Sequence, residues 1–376
     1  MKFTCSTEAL NQAIMNVSLA VSPKSSLVAL EGISISASDS SLSLAGYNLE
    51  MGITSRIEAK IIENGSVVIP AKIFSDIVKK TASETIEISC DSRFMVEIQG
   101  GVSHFTIPGT PPFEFPELPS VEGGESMRIS QGKLASMIDQ TLFAVAVSDA
   151  KPVHTGCLFL QQDGELTVVA VDGFRLAMRR EKTGNTQELR FIVPGRSLSE
   201  LLKLLSDNDD EVELSVSKKH ILFSLGQTAL ISRLLEGDFL DYNAAIPRES
   251  STTVTVSTRA LLGSIERTSL LISDRLKSPV RVLFDQDSII KMSCSTTMGK
   301  AYDECACSFS GKPVEIGFNN RYLIDALKNS QSDMVRLEIG GPLSPMKVVA
   351  VEGDSFLFLV LPMKLRNEYF HENRNH

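Results

Sequence analysis

Val67-Val68-Ile69-Pro70-Ala71-Lys72-Ile73-Phe74-Ser75-Asp76-Ile77-Val78-Lys79-Lys80 is the stretch on which the reading of the chain turns. Three strand-favouring residues run into a proline, and beyond it Phe74, Ile77 and Val78 share one helix face. The stretch predicts a strand that passes directly into an amphipathic helix, with proline well placed at the helix start. The pattern recurs: Phe191-Ile192-Val193 precede Pro194 with Leu198, Leu201 and Leu202 beyond, and Ile316-Gly317-Phe318 precede Asn319 with Leu323, Ala326 and Leu327, at shifts of 124 and 125 residues. A second helical pattern also appears three times in one phase: Leu10, Ile14, Val17 and Val21; Leu134, Ile138, Thr141 and Val145; Leu261, Ile265, Thr268 and Ile272. Between the two helices lie runs such as Leu42-Ser43-Leu44, Leu166-Thr167-Val168 and Ile289-Ile290-Lys291, which read as strands. Two unrelated elements with a common period identify an internal repeat.

The repeat sets the fold class as α+β, three similar domains of paired helices against antiparallel sheets. The 376 residues exceed what one compact core sustains. Ser120 to Ser126, after Pro116 and Pro119, and Pro247 to Thr253 read as linkers, dividing the chain into 1–122, 123–250 and 251–365, with a polar tail at 366–376. Apolar content of 43% and charged content of 22% are those of a soluble globular protein. No secretory signal follows Met1-Lys2-Phe3, and the longest apolar run, Phe356 to Leu361, is too short to span a membrane, so the expected location is the cytoplasm. The six cysteines (Cys5, Cys90, Cys157, Cys294, Cys305, Cys307) form no spaced framework and read as free core thiols; a metal site at Cys294, Cys305 and Cys307 lacks a Cys-x-x-Cys pair or a nearby histidine. Neither metal nor cofactor is called for.

Charge adds the functional signal. Lys72 corresponds to Arg196 and Arg321, and Lys79 to Lys203 and Lys328, so a basic pair seven residues apart recurs on the polar face of every second helix. Asp76, Glu200 and Asp325 lie between the pairs, and one such face alone reads as a solvated surface with ordinary helix ion pairs. Three in register point instead to a role that every copy performs, weak and sequence-independent contact with phosphates. The net charge of −9 does not forbid this, because screening leaves a local basic stripe effective within an acidic protein. No zinc-finger spacing, tryptophan or aromatic-basic interleaving suggests that bases are read.

Met1-Lys2-Phe3, Asp172-Gly173-Phe174-Arg175-Leu176, Ile316-Gly317-Phe318-Asn319 with Tyr322, and Leu361-Pro362-Met363-Lys364-Leu365 occur in an order that resembles the bacterial sliding clamp family, the beta subunit of the replicative DNA polymerase. The resemblance covers nearly the whole chain. It implies a homodimer in which two half rings pair head to tail and close around duplex DNA, strands outside and helices inside. The DNA-facing residues it implies are Lys24, Lys72, Lys79, Lys80, Arg196, Lys203, Arg321 and Lys328, and the closing contact would join Leu271 and Ile272 to the first domain's edge at Ile107. It also implies a cleft where short linear motifs of polymerase, clamp loader and repair proteins dock. Carried over position by position, the cleft comprises His154, Val171, Gly173, Phe174, Arg175 and Leu176, then Leu240, Ala244 and Ala245, then Asn319, Tyr322, Leu343, Pro345, Leu359, Leu361, Pro362, Met363 and Lys364. Leu240 stands where the family often has proline, Ala244 and Ala245 replace larger side chains, and Phe174 takes a place often held by histidine or tyrosine, which implies a wider groove.

The expected function is a DNA-encircling processivity clamp. The alternatives are weaker: the best catalytic cluster, Asp172 with His154 and Arg175, offers no activated nucleophile and no phosphate loop, so an enzyme is not expected. A repeat scaffold that binds only proteins remains the rival reading. Beyond Leu365, Tyr369 or Phe370 could occupy the cleft as an internal competitor, against the plainer expectation of a disordered tail.

Overall fold

The computed structural model describes residues 1–147, 151–273 and 278–365, and the tail at 366–376 lies outside them. One sequence of elements occurs three times: a strand, a helix, a run of antiparallel strands, a second helix and three closing strands. The helices are α1 (Thr7–Ser18) and α2 (Ala71–Lys80), α3 (Gln131–Leu142) and α4 (Gly195–Leu204), a short α5 (Tyr242–Ala245), then α6 (Thr258–Thr268) and α7 (Asn320–Lys328). All assigned strand pairings are antiparallel among the described residues, giving the expected α+β class.

The strand-to-helix junctions form as the sequence predicts, by two chemistries. Pro70 and Pro194 hold φ at −53° and −55° at the entries to α2 and α4. At α7 the side chain of Asn319 replaces that constraint, accepting from the Arg321 N–H at 3.0 Å. Ser6 and Ser257 cap α1 and α6 in the same way. The apolar faces are buried as expected, Leu10, Ile14 and Val17 in α1 and Phe74, Ile77 and Val78 in α2. The fourth residue of each first-helix pattern is a correction. Val21, Val145 and Ile272 lie past the helix ends, where bonds such as Val21 N–H to Ser18 O (3.1 Å) and Ile272 N–H to Ser269 O (2.9 Å) tighten the chain into three-residue turns and leave these side chains half-buried. The first linker is also shorter than the sequence suggests: Glu125–Ser130 is already a strand, paired with Glu211–Val216 and burying Met127 and Ile129. The second ends likewise, since Thr252 and Thr253 belong to the strand Thr252–Ser257.

Two compact units divide the chain, Met1–Ala135 with Asn185–Glu236, and Ser136–Gly184 with Gly237 onward. In the first, a five-stranded sheet runs in the order Lys60–Glu63, Lys2–Ser6, Thr85–Cys90, Met95–Gly100, Ser103–Pro108. An eight-stranded sheet runs Glu125–Ser130, Glu211–Val216, His220–Leu225, Thr228–Arg233, Met51–Glu58, Ser41–Tyr47, Gly32–Ser38, Gly65–Pro70. In the second unit, the strands Gly156–Gln162, Glu165–Val171, Arg175–Lys182, Phe356–Val360, Met346–Ala350, Met334–Ile339, Thr252–Ser257 and Ser308–Gly311 are adjacent in that order. A four-stranded sheet there runs Gly299–Ala306, Ile289–Thr296, Val280–Phe284, Val314–Phe318.

Successive repeats therefore share sheets. The last strand of the second repeat, Thr228–Arg233, pairs with Met51–Glu58 of the first, and the last strand of the third, Phe356–Val360, pairs with Arg175–Lys182 of the second. Met51, Arg175 and Gly299 open equivalent strands at a constant shift of 124 residues. Two members of this scheme have no partner on one side among the described residues: Ser103–Pro108, the last strand of the first repeat, and Gly299–Ala306 of the third, each at the end of its sheet.

Candidate partner-binding cleft and basic helix faces

The second repeat reaches the third through the turn Asp172-Gly173-Phe174. Gly173 takes φ +87°, a backbone region that disfavours a side chain. The Asp172 carboxylate accepts from the N–H groups of Phe174 (2.9 Å) and Arg175 (3.0 Å), so the turn is closed by its own aspartate. From there Arg175 to Arg179 pair with Val360 to Phe356, and the Leu361 N–H donates to the Phe174 carbonyl at 3.0 Å. Met363 N–H donates to Gly317 O at 2.7 Å; a Cβ on Gly317 would lie 2.8 Å from the Met363 carbonyl and 2.6 Å from Leu365, so the close approach of these chains requires glycine.

Arg175 ties the wall together. Its Nε donates to Asp172 at 2.8 Å, and a terminal nitrogen pairs with Asp325 of α7. The guanidinium also lies 4.8 Å from the ring centre of Tyr322 and 5.5 Å from that of Phe143. An arginine whose planar group meets two rings and two carboxylates is fixed in one orientation. Phe174 in turn stacks on Tyr322, with ring centres 6.0 Å apart and planes 20° apart. Burial, and then the Asp172 carboxylate, raise the Tyr322 phenol above its ordinary pKa, so it remains a hydrogen-bond donor at neutral pH. Beside this pair opens a cavity of about 540 Å³, lined by Gly173, Phe174, Asn319, Tyr322, Leu361, Pro362 and Met363 together with Ile272, Ser273, Ser278, Asn320 and Arg321. Phe174 is 59% exposed although it is a large aromatic, which leaves apolar surface open at the cavity.

Sequence profiles of the DNA polymerase III beta subunit match the chain in three consecutive stretches: the N-terminal domain over residues 1–119, the central domain over 128–241 and the C-terminal domain over 243–364. The chain is 34% identical to the beta sliding clamp of Halalkalibacterium halodurans, across 97% of its own length and 100% of that protein. The chain belongs to the beta sliding clamp family. The crystal structure of the DNA polymerase sliding clamp from Bacillus subtilis superposes with a TM-score of 0.94 at 31% identity, covering 97% of this chain and 100% of that one. The DNA polymerase III subunit beta from Pseudomonas aeruginosa gives 0.93 at 28% identity with the same coverage.

For this clamp-family member, seven of the expected cleft residues line the cavity. The others are placed differently. Val171, Leu176 and Leu359 are buried in the strands behind it, Val171 opposite Leu176 and Leu176 opposite Leu359. Arg175 acts as the tether just described, with only 14% of its side chain exposed. His154 packs edge-on against Phe239, ring centres 5.7 Å apart, and Leu240, Ala244, Ala245, Leu343 and Lys364 are exposed, with Pro345 half-buried. None of these, Arg175 and His154 included, lines that cavity. Ile272, expected at a subunit contact, and Arg321, expected on a DNA-facing helix, also line the cavity. Asn320 and Arg321 could have been found from sequence, because they occupy the first turn of α7 between Asn319 and Tyr322.

All eight basic residues, Lys24, Lys72, Lys79, Lys80, Arg196, Lys203, Arg321 and Lys328, are exposed. Two of the acidic residues between the pairs behave unequally, since Glu200 binds Lys203 at 2.6 Å while Asp325 is drawn to Arg175; Lys328 pairs with Glu266 of α6 at 2.9 Å. Ile107 lies half-buried on the edge strand Ser103–Pro108, while Leu271 ends a short turn packed near Gly299. Burial raises the thiols of Cys5 and Cys157 to about 12 and that of Cys305 to about 11, which keeps them protonated. Among the described residues no group of three metal-binding side chains gathers, and no helix is long and apolar enough to cross a membrane.

Proposed function

We propose that two copies of this chain close head to tail into a ring around duplex DNA, and that the ring tethers replicative polymerase and other replication and repair proteins through linear motifs docked in the cleft. The single observation that carries the reading is the pair of orphan edges. Transferring the register of Thr228–Arg233 on Met51–Glu58 to Ser103–Pro108 and Gly299–Ala306 sets Ser103 opposite Asp303 and Ile107 opposite Gly299. Transferring the register of Phe356–Val360 on Arg175–Lys182 gives the same alignment. Two internal junctions thus specify one external junction, which joins a second copy by strand addition. A heterologous contact of this kind makes a ring when its rotation closes.

In this reading the chain divides into clamp domains at 1–122, 123–250 and 251–365, and Ile107, Leu271 and Ile272 flank the closing contact. The exposed basic residues of α2, α4 and α7, with Lys24, face the DNA and hold it without reading sequence. The reading requires no catalytic group, metal or cofactor, and places the protein with cytoplasmic DNA.

The test is topological. A preparation loaded on nicked circular duplex is retained and slides off once the circle is linearised, whereas a scaffold binding only proteins shows no such dependence. Lys72→Glu with Arg196→Glu and Arg321→Glu is expected to leave dimers assembled and to shorten retention on the circle by at least tenfold, an effect of about 1.4 kcal/mol or more. Equal retention of the parent protein on linear and circular DNA would sink the ring.

A further inference from the structure

The first repeat carries a cavity of about 650 Å³ among whose lining residues are Val21, Ser22, Val28, Pro70, Lys72 and Thr110. It is built on the same frame as the cleft. The Thr110 N–H donates to Val68 O at 2.8 Å, as Met363 donates to Gly317, and Val21, Ser22, Pro70 and Lys72 hold the positions of Ile272, Ser273, Asn319 and Arg321. At the cleft, the turn of the preceding repeat lays Phe174 on Tyr322. The position equivalent to Tyr322 is Ile73, 45% exposed, with Val28 beside the cavity at 70%. The position equivalent to Phe174 in the third repeat is Met298, 71% exposed at the tip of the hairpin joining Ile289–Thr296 to Gly299–Ala306.

We propose that in the dimer the hairpin tip of one copy seats Met298 on Ile73 of the other, the exposed residue that follows Lys72 of the first-repeat cavity wall, so that the second copy covers an apolar position its own chain leaves open. The inference rests on the ring reading and adds an anchor to it. Backbone chemistry leaves a place for the anchor. At the two internal junctions the ladder continues one bond further, Arg233 N–H to Glu50 O at 2.8 Å and Leu361 N–H to Phe174 O at 3.0 Å. The equivalent donor at the subunit junction is Pro108, which has no N–H. The bond to the Met298 carbonyl is therefore absent from the transferred register, and in this proposal the Met298 side chain makes the last contact of the junction.

Two measurements decide it. In a chain carrying Ile73→Cys and Met298→Cys, a short bismaleimide is expected to give a product of doubled mass that neither single variant gives; the native Cys90 and Cys307, both half-buried, are present in all three. Met298→Asp, at an exposed tip that does not contribute to the core, is expected to raise the dimer dissociation constant at least tenfold by sedimentation. A dimer in which the double variant yields no linked product, or in which Met298→Asp shifts the constant by less than twofold, overturns the anchor and leaves the ring standing. A parent chain that stays monomeric at every concentration removes both.

Discussion

The cleft of the second unit and its counterpart in the first unit share a backbone frame and differ in who completes them. At the cleft the same chain supplies Phe174, Arg175 fixes the turn between two rings and two carboxylates, and the wall exists before any partner arrives. In the first unit Val28, exposed, lines a cavity with Glu31, Lys72 and Asp76, and Ile73, next to Lys72 in the chain, is exposed as well. In the proposed reading one is a preorganised wall that binds a transient segment at low ordering cost, and the other is a socket whose apolar surface is covered on assembly. Repetition of a fold thus yields two kinds of surface from one scaffold.

The largest break in this comparison is expected from Arg175→Ala. It removes both ring contacts and leaves Asp172, 13% exposed, without its cationic partner. Loss of one partner from a half-buried pair should cost about 2–3 kcal/mol, read as a lower midpoint in chemical denaturation, together with weaker binding of a cleft-docking peptide. The socket should not notice, so dimer affinity stays the same. An unchanged denaturation midpoint would show that the guanidinium is not the tether of the wall.

The fold was legible because its period is written in apolar residues. Val67-Val68-Ile69-Pro70 and its two relatives place the second helices, and buried Phe74, Leu198 and Leu323 fulfil them. Helix ends were less legible: Val21, Val145 and Ile272 continue the apolar pattern, while three-residue hydrogen bonds have already turned the chain. The cleft was half legible. Residues such as Val171 and Leu359 carry the same apolar signal whether they line a groove or back it, and only pleat direction separates the two, through the register of Arg175–Lys182 on Phe356–Val360. The role of Arg175 was hidden because Phe143 and the α7 pair Tyr322 and Asp325 converge on it from two distant stretches. The fate of Asp325 was hidden for the same reason: helix spacing alone pairs it with Arg321 or Lys328.

A smaller effect is expected at the exposed half of the wall. Tyr322→Ala removes the surface on which Phe174 stacks and one side of the Arg175 sandwich, while α7 keeps its Asn319 cap and its buried Leu323, Ala326 and Leu327. Affinity for an apolar motif peptide should fall by about 1–2 kcal/mol, or roughly five- to thirtyfold, as for an aromatic at the centre of a contact. Retention on circular DNA should be unaffected, because Tyr322 is not one of the exposed cations. A drop in DNA retention without loss of peptide affinity would reverse the assignment of that face.

The smallest effect is the most diagnostic, because it tries to convert one surface into the other. Ile73→Tyr with Met298→Phe transplants the stacked pair of the cleft onto the subunit junction. Both positions are exposed in the single chain, so neither substitution disturbs a core. An aromatic pair contributes about 0.5–1.5 kcal/mol beyond the area it buries. The double variant should therefore dimerise about two- to tenfold more tightly than the sum of its single variants predicts, a coupling that a double-mutant cycle isolates. Strict additivity would mean that the two side chains never meet across the junction. Coupling of the opposite sign would mean that they meet in a space already filled, so that the socket is tighter than the cleft from which its geometry was inferred.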